Sequence, residues 1–239
     1  MRAVNAHSLH SPFLYKLFNE VIRTSKSTRI KEIERQRKNL LRNNEVLETI
    51  DFKSANHRWR SVGDIARSSL STPRFSAFLN QLVQFLEVDT CLETGTSLGI
   101  NACYLSKGCD KVITIEGSSS LAALARRSFA AIDSANIELK NDDLHKTLEP
   151  EIVRNKPDFY FLDADHRSEA VAYCIDLILK HTPTTKCIVI HDIYWSKDMM
   201  SIWQSLVEDP RFPLSVDLFQ AGLLFPNKKM EKQHFTIRF

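Results

Sequence analysis

The sequence lacks the features that would place it in a membrane or in an oxidising compartment. No apolar run approaches the roughly 20 residues of a membrane span, and residues 1–10 lack the apolar core of a signal peptide. The cysteines show no spacing typical of a metal site, and none is expected to be a nucleophile; they are Cys91, Cys103, Cys109, Cys174 and Cys187. We therefore expect a cytoplasmic protein with free thiols and no membrane partner.

Two motifs of well-known α/β enzymes are also missing. There is no G-x-S-x-G, which argues against a serine hydrolase of the α/β type. The glycine turn at Gly95 to Gly99 has no third glycine to complete G-x-G-x-x-G, which argues against a NAD-binding domain. These absences leave a different nucleotide-like ligand as the first hypothesis for this turn.

The residues around this turn predict a strand, a tight turn and a helix. The run from Thr90 ends in an acid, and the amphipathic segment from Ile100 to Ser106 follows directly. Glycine permits a sharp turn and a close ligand approach, and the free N–H groups of a new helix face the ligand. The predicted cofactor-binding residues of the turn are Glu93, Gly95, Thr96, Ser97 and Gly99.

Further predicted strands also end in polar or acidic residues. These strands are Val112–Ile115, Ile137–Lys140, Phe159–Leu162 and Cys187–Ile190, and the residues after them include Glu116, Gly117, Asp142, Asp143, Asp163, His166, His191 and Asp192. Open parallel sheets bind ligands at the carboxyl ends of their strands, where an acid such as Glu116 can accept bonds from ribose hydroxyls. The alternative is that some of these acids cap the following helices, Asp143 above all.

Strands that alternate with helices predict a Rossmann-like, doubly wound α/β fold with a mostly parallel seven-stranded sheet. The intervening helices are expected at 118–132, 167–181 and 195–207. Two late strands, 215–219 and 233–239, have no room for a long helix between them, so we expect a C-terminal antiparallel hairpin.

The N-terminal residues predict a helical segment, with residues 1–60 as an arm or lid and 61–239 as the cofactor-binding domain. Ser11-Pro12 and Thr72-Pro73 have the chemistry of helix starts. A helix from Ser27 to about Thr49 and a loop from Asp51 to Arg60 are expected between them. Residues 1–60 carry 13 Lys/Arg and 6 Asp/Glu. This charge fits either a nucleic-acid-binding arm or, as we favour, the solvated face of an amphipathic helix.

In combination, these motifs resemble the class I S-adenosylmethionine (SAM)-dependent methyltransferases, and most closely their catechol-O-methyltransferase-like branch. Glu93 to Gly99 is similar to the E-x-G-x-x-x-G motif, and Asp163-Ala164-Asp165 to the D-A-D sequence of that branch. The resemblance covers residues 61–239. It implies SAM as cofactor, with Glu116 at the ribose and Asp142 beside the adenine; Gly117, Asp143 and Asp163 are further candidate cofactor-binding residues. It also implies that N-terminal helices cover the acceptor pocket, which makes His7, His10, Trp59 and Arg60 candidate lining residues.

The sequence departs from that branch at its metal and catalytic positions. Asp163 and Asp192 occupy two acid positions, but Ile193 replaces an Asn ligand and His166 replaces the catalytic lysine. One hypothesis is a divalent cation on Asp163 and Asp192, with a histidine favouring a softer metal. The other, which we favour, is metal-free catalysis in which His166 is the general base, with His191 as a second candidate and Asp192 as a supporting carboxylate.

The resemblance therefore predicts SAM-dependent methyl transfer to a small molecule, at a hydroxyl oxygen. The alternatives are a nucleic-acid methyltransferase or binder that uses the basic arm, and a domain that binds SAM without catalysis. The N-P-P-Y or D-P-P-Y tetrapeptide of amino-methylating nucleic-acid enzymes does not follow the fourth strand, so nucleic acid is not the expected partner. A homodimer remains an open alternative.

Overall fold

In the computed structural model, which describes residues 11–51, 56–227 and 231–239, the N-terminal segment contains helices and a β-hairpin. Its elements are α1 (Pro12–Lys16), a π-helical turn (Leu17–Ile22), a 3-10 turn (Thr24–Lys26), α2 (Lys31–Leu41), β1 (Val46–Asp51), β2 (Asn56–Ser61) and α3 (Val62–Ser69). The strands β1 and β2 are antiparallel, with Val46 opposite Ser61 and Asp51 opposite Asn56. None of the helices in the described part of the chain has the length and hydropathy needed to cross a bilayer.

The hairpin overturns two sequence-based predictions. The helix expected to reach Thr49 ends at Leu41, because the Asn43 side chain accepts a bond from the N–H of Glu45 and turns the chain. The β-branched residues after this turn then favour a strand. The loop expected over 51–60 is wrong as well, since β2 occupies Asn56–Ser61. Hairpin pairing is a contact between separate segments, so helical periodicity alone misplaced both elements.

The rest of the chain alternates strands and helices. The strands are β3 (Thr90–Thr94), β4 (Lys111–Ile115), β5 (Ile137–Lys140), β6 (Phe159–Leu162), β7 (Cys187–His191), β8 (Leu214–Asp217), β9 (Ala221–Phe225) and β10 (Gln233–Thr236). The helices are α4 (Pro73–Phe85), α5 (Ile100–Ser106), α6 (Ser119–Ile132), α7 (Leu144–Asn155), α8 (Ser168–His181) and α9 (Lys197–Glu208). The sheet order is β10-β8-β9-β7-β6-β3-β4-β5, with β9 antiparallel to both of its neighbours and the other pairs parallel. The predicted Rossmann-like class is confirmed.

The C-terminal part of the sheet differs from the prediction. The whole sheet has eight strands rather than the predicted seven. The two late strands, β8 and β10, are parallel to each other rather than antiparallel. The missing strand is β9, which follows β8 after a short turn closed by a bond from the Leu218 N–H to the Ala221 carbonyl. Because β9 runs back between β8 and β7, the chain that leaves it returns to pair with the outer edge of β8 in the same direction.

Two apolar layers cover the faces of the sheet. One layer packs α4, α5 and α6 on one face, and the other packs α7, α8 and α9 on the opposite face. Side chains of the N-terminal segment belong to the first layer, namely Leu14, Leu17, Val21, Ile22, Ile33 and Leu40. Residues 11–41 therefore share their hydrophobic core with the sheet. This packing directs the carboxyl ends of the parallel strands β3, β4, β6 and β7 to one rim.

Several predicted helix starts are confirmed by capping bonds. The side chains of Ser11, Thr72 and Ser118 accept N–H bonds at the starts of α1, α4 and α6. Asp143 caps α7 by accepting bonds from the N–H groups of His145 and Lys146. These bonds satisfy donors that a helix leaves free at its first turn.

Candidate functional site

The turn after β3 has the backbone that its glycines predict. Gly95 and Gly99 have φ values of 88° and 83°, and Ser97 between them has a φ of 49°. A Cβ atom on Gly95 would lie 2.5 Å from the carbonyl oxygen of Asp163. Glycine is therefore required at position 95 for two reasons, the left-handed backbone and the close approach of Asp163, the residue that follows β6.

Glu93 stands behind this turn rather than on its surface. Its residue exposure is 1%, and its carboxylate accepts a 2.6 Å bond from the Thr114 hydroxyl, which lies 2.5 Å from the Thr96 hydroxyl. Burial raises the pKa of Glu93 well above its ordinary value, although the bond from Thr114 opposes this. In this structure Glu93 and Thr96 fix the turn to β4, and a direct contact of either side chain with a cofactor stays a prediction.

Glu116 links the end of β4 to the turn. Its two carboxylate oxygens accept the N–H of Ser97 at 2.8 Å and the N–H of Ser118 at 2.9 Å. Burial raises the pKa of Glu116, and these backbone bonds oppose the rise. A carboxylate has about four acceptor sites, so Glu116 keeps capacity for a ligand's hydroxyl groups. Gly117 is exposed beside it.

The acids after β5 are exposed at the same rim. Asp142 accepts the N–H of Asp143 at 2.7 Å, and Asp143 is the N-cap of α7 described above. Asp143 therefore caps a helix, which was the alternative to cofactor binding in the sequence analysis. Asp142 retains an exposed carboxylate, and its predicted contact with a cofactor remains a prediction.

The ends of β6 and β7 bring together four predicted side chains, here called the His–Asp cluster: Asp163, His166, His191 and Asp192. Nδ1 of His191 lies 2.9 Å from Oδ1 of Asp163 and 3.6 Å from Oδ1 of Asp192. Nε2 of His166 lies 3.7 Å from a carboxylate oxygen of each of the same two acids. Both ring nitrogens are buried and have no partner in hydrogen-bond geometry among the described residues.

The charges of the His–Asp cluster stabilise each other. Burial would by itself raise the pKa of Asp163, but His191 and His166 outweigh it and the pKa is lowered. Burial would likewise lower the pKa of His191, but Asp163 and Asp192 reverse this and the pKa is raised. Asp163 and His191 thus favour an ion pair. Because a raised pKa favours the protonated form of His191, we prefer His166 as the base candidate.

The donor set of the His–Asp cluster also fits a metal ion. Ligand atoms of Asp163, His166 and His191 lie within 4.8 Å of one another, and two buried imidazole nitrogens with a carboxylate suit a softer cation than magnesium. Of the two predicted metal candidates, Asp163 belongs to this three-residue group and Asp192 does not, although Asp192 contacts both histidines; metal binding by either acid stays a prediction. Ile193 is fully buried and has no ligand atom.

Three exposed aromatic side chains border the cluster and were not predicted as site residues. This aromatic rim consists of Tyr194, Trp195 and Phe219. Trp195 is 65% exposed and its ring centroid lies 6.4 Å from that of His166. The rings of Tyr194 and Phe219 are 6.4 Å apart, and buried Asp217 accepts both the Tyr194 hydroxyl and the Phe219 N–H.

The aromatic rim was missed because Trp195 was placed in a helix predicted over 195–207. That helix, α9, begins at Lys197, and Ser196 is its N-cap. The signal in the sequence was this serine, which leaves Trp195 in the loop before the helix. Besides Ser97, two non-glycine residues near the cluster have left-handed backbones, Asp192 with a φ of 55° and Phe219 with a φ of 67°. Such strain is concentrated at functional sites.

The predicted lining residues of the N-terminal segment are not joined to the cluster by the described contacts. Trp59 is exposed on β2. The Arg60 guanidinium donates to the Ser68 hydroxyl and the Asp64 carbonyl of α3. His7 and His10 lie outside the described residues. The end of α3 contacts the turn from Glu93 to Gly99, here called the cofactor turn, because the hydroxyl groups of Ser69 and Ser97 are 3.1 Å apart.

The cysteines are confirmed as free, and they are unsuited to nucleophilic chemistry. Cys91, Cys103, Cys174 and Cys187 are buried and Cys109 is half-buried. Burial raises the pKa of each thiol. A thiol that stays protonated at neutral pH is a poor nucleophile.

Comparison with known proteins agrees with the fold. Residues 92–193, which contain the cofactor turn and the His–Asp cluster, match the family model of a methyltransferase domain. An O-methyltransferase from Bacillus cereus in complex with S-adenosylhomocysteine (SAH) has a TM-score of 0.55 and 22% sequence identity. The match covers 66% of this chain and 83% of that chain. A SAH-bound methyltransferase from Podospora anserina has a TM-score of 0.56 and 15% identity over 82% of this chain and 95% of its own. These similarities agree with the predicted resemblance to class I methyltransferases, and the structural neighbours share the predicted fold.

The curated relatives are similar over a shorter stretch. A protein-L-isoaspartate O-methyltransferase from Desulfotalea psychrophila is 37% identical over 97 residues, which cover 38% of this chain and 45% of the relative. A second protein of that name, from Methanoregula boonei, is 33% identical over 75 residues, 31% of this chain and 35% of the relative. The chain thus spans less than half the length of these relatives.

Proposed function

We propose that this chain transfers the methyl group of SAM to a hydroxyl oxygen of a small-molecule acceptor. The observation that carries this proposal is the position of Asp163 between the two parts of the site. Its N–H donates to the Thr94 carbonyl, its own carbonyl lies against Gly95, and its carboxylate contacts His191. A ligand seated on the turn would therefore lie beside the histidines.

The residues of the turn fit a nucleoside cofactor. Gly95 has the left-handed backbone of a tight turn and packs closely against the Asp163 backbone, and Glu116 offers unused acceptor sites for ribose hydroxyls. When bound, SAM supplies a methyl group already activated by its sulfonium. The protein then needs only to align the acceptor, exclude water and remove a proton.

The His–Asp cluster is suited to proton removal from a hydroxyl. As the acceptor oxygen bonds to the methyl carbon and the carbon–sulfur bond breaks, the hydroxyl proton passes to Nε2 of His166 and later to solvent. This nitrogen has no hydrogen-bond partner among the described residues. Asp163 and Asp192, each 3.7 Å away, stabilise the imidazolium that forms. Tyr194 is not a competing base, because burial and its bond to Asp217 raise its pKa to about 12.

A divalent cation is the alternative use of the same groups. Asp163, His166 and His191 would hold it, and the cation would supply a Lewis acid that acidifies a hydroxyl acceptor. We favour the metal-free arrangement because the close contact of His191 with Asp163 already engages that carboxylate, and because no Asn ligand follows Asp192.

A second acceptor class is a protein carboxylate, which is favoured by the 37% identity to an isoaspartate O-methyltransferase. A carboxylate is already ionised at neutral pH, so its methylation needs no general base. The two acceptor classes therefore differ in their dependence on His166. The acceptor would be identified by assaying methyl transfer to phenols, alcohols and an isoaspartyl peptide.

Replacing Glu116 tests the proposed cofactor site. Glu116→Ala is expected to weaken SAM binding by about 1.5–3 kcal/mol, or roughly 10–150-fold, since hydrogen bonds to a charged group are lost. Isothermal titration calorimetry with SAM, SAH and NAD measures this directly. Glu208→Ala, an exposed acid at the end of α9, is the control and should bind as the wild type does. Tight NAD binding without SAM binding would refute the proposed function.

Replacing Trp195 tests whether the aromatic rim receives the acceptor. Trp195→Ala is expected to raise the KM for the acceptor about tenfold, because a large exposed ring beside His166 is lost from the binding surface. Steady-state kinetics at saturating SAM gives this value, and Tyr15→Ala, an exposed aromatic on α1, is the control. An unchanged acceptor KM would exclude Trp195 from the acceptor site.

A further inference from the structure

A stripe of four cations runs along the outer surface of α2. The α2 cation stripe consists of Lys31, Arg35, Lys38 and Arg42, all of them exposed, with Arg42 as the C-cap residue. At 100° per residue these positions fall within about 60° of the helix circumference and extend over about 16 Å of its length. The sequence alone favoured a solvated helix face for these basic residues, but the helix aligns four of the charges in one direction, and this alignment supports the alternative interpretation of a nucleic-acid-binding arm.

The inner face of α2 fixes the orientation of this stripe. Ile33, Leu40 and Arg37 are buried on the opposite side of the helix. The Arg37 guanidinium donates to the Ser71 carbonyl at 2.6 Å and to the Ser76 hydroxyl at 2.9 Å. The helix therefore cannot rotate to pack the four cations against the protein, and they project outward.

The α2 cation stripe has no neutralising partner in the described part of the chain. The nearby acids pair elsewhere among the described residues, since Glu34 pairs with Arg37 and Glu45 pairs with Arg127. Glu32 is exposed on the same helix and makes no ion pair with the stripe. Residues 1–10, 52–55 and 228–230 contain no Asp or Glu, so these segments cannot neutralise it.

We propose that the α2 cation stripe binds the phosphate backbone of a nucleic acid. A row of unpaired Lys and Arg side chains on a rigid helix is suited to a regularly spaced polyanion. A membrane surface is a less suitable partner for the stripe. A helix that binds at a membrane interface inserts exposed apolar side chains into the lipid, whereas the apolar side chains of α2 pack in the protein core. The proposal concerns a surface outside the His–Asp cluster and does not depend on the acceptor of methyl transfer.

Fluorescence anisotropy with a labelled single-stranded RNA oligonucleotide tests this proposal with the full chain. Four phosphate contacts predict a salt slope of about −3, and roughly 50-fold weaker binding as salt rises from about 50 to about 200 mM. The variant Lys31→Gln/Arg35→Gln/Lys38→Gln/Arg42→Gln is expected to lose most of this binding and most of the slope. Its circular dichroism and SAM affinity should match those of the wild type.

The matched control is Lys146→Gln/Lys156→Gln/Lys197→Gln/Arg238→Gln. It removes the same charge from exposed positions that are spread over the surface, and it should bind RNA as the wild type does. Equal losses in both variants would mean that net charge alone attracts RNA, and the proposal would be wrong. No RNA binding by the wild type at low salt, or binding to anionic phosphatidylserine vesicles in its place, would also overturn it.

Discussion

The variant His166→Ala is expected to transfer methyl groups to a hydroxyl acceptor about 10²–10⁴-fold more slowly than the wild type, with SAM affinity nearly unchanged. The loss follows from removal of the unpartnered Nε2 between Asp163 and Asp192. His166 lies after β6 and makes no contact with the backbone of the cofactor turn in the described interactions. Single-turnover kinetics separates the chemical step from cofactor binding, which calorimetry measures.

A histidine outside the cluster provides the control for this experiment. His145 is exposed at the start of α7, where its ring lies beside Tyr173, and His145→Ala should keep wild-type turnover. Unchanged turnover of a hydroxyl acceptor by His166→Ala would make His166 a structural residue. Wild-type activity that disappears in a chelator and returns with manganese or magnesium would assign the cluster to metal binding.

The variant Arg37→Met is expected to lower the free energy of unfolding by about 3–5 kcal/mol, the usual cost of removing one partner of a buried ion pair. Arg37 is 5% exposed, and its guanidinium bonds Glu34, the Ser71 carbonyl and the Ser76 hydroxyl. Methionine fills a similar volume but satisfies none of these acceptors. Urea denaturation followed by circular dichroism measures the change.

The bonds of Arg37 continue toward the cofactor turn. The Ser76 hydroxyl donates to the Asn101 side chain, which donates to the Ser71 hydroxyl, and the Tyr104 hydroxyl donates to Glu34. Asn101 and Tyr104 belong to α5, the helix that leaves the turn. We therefore propose that residues 11–60 support the cofactor site as well as any acceptor pocket, and Arg37→Met should weaken SAM binding in addition to stability.

The exposed ion pair of Arg127 with Glu45 is the matched control for Arg37. It also joins the N-terminal segment to the helices of the sheet, with two bonds of 3.0 Å and 2.9 Å. Because both side chains are exposed, Arg127→Met should cost less than about 1 kcal/mol. Equal losses of unfolding free energy in Arg37→Met and Arg127→Met would show that the buried network of Arg37 stabilises the protein no more than an exposed ion pair does.

Local patterns were sufficient for the central strands and for the cofactor turn. Each central strand is a short apolar run, and the turn at Gly95 to Gly99 needs only the backbone freedom of glycine. The caps at Thr72, Ser118 and Asp143 were equally readable, since a cap bonds N–H groups two or three residues away. Placement of the acids and histidines at one rim followed from the parallel sheet that these alternating elements predict.

Contacts between distant segments were not readable in the same way. The hairpin of β1 and β2, and the insertion of β9 between β7 and β8, depend on pairing that no local periodicity encodes. The burial of Arg37 depends on Ser71 and Ser76, which lie 34 and 39 residues further along the chain. Its charge in the sequence indicated a solvated surface, whereas the tertiary fold supplies its acceptors.

The sequence by itself determined the α/β class, the glycine turn and the strand-end positions of Asp163, His166, His191 and Asp192, because these depend on apolar runs and turn residues close in the chain. Only the tertiary structure decided that Nδ1 of His191 lies 2.9 Å from Asp163, while Nε2 of His166 lies 3.7 Å from both Asp163 and Asp192. It also decided which cations of the N-terminal segment are buried and which project outward. Both outcomes are set by packing between segments far apart in sequence, which fixes side-chain distances and solvent access.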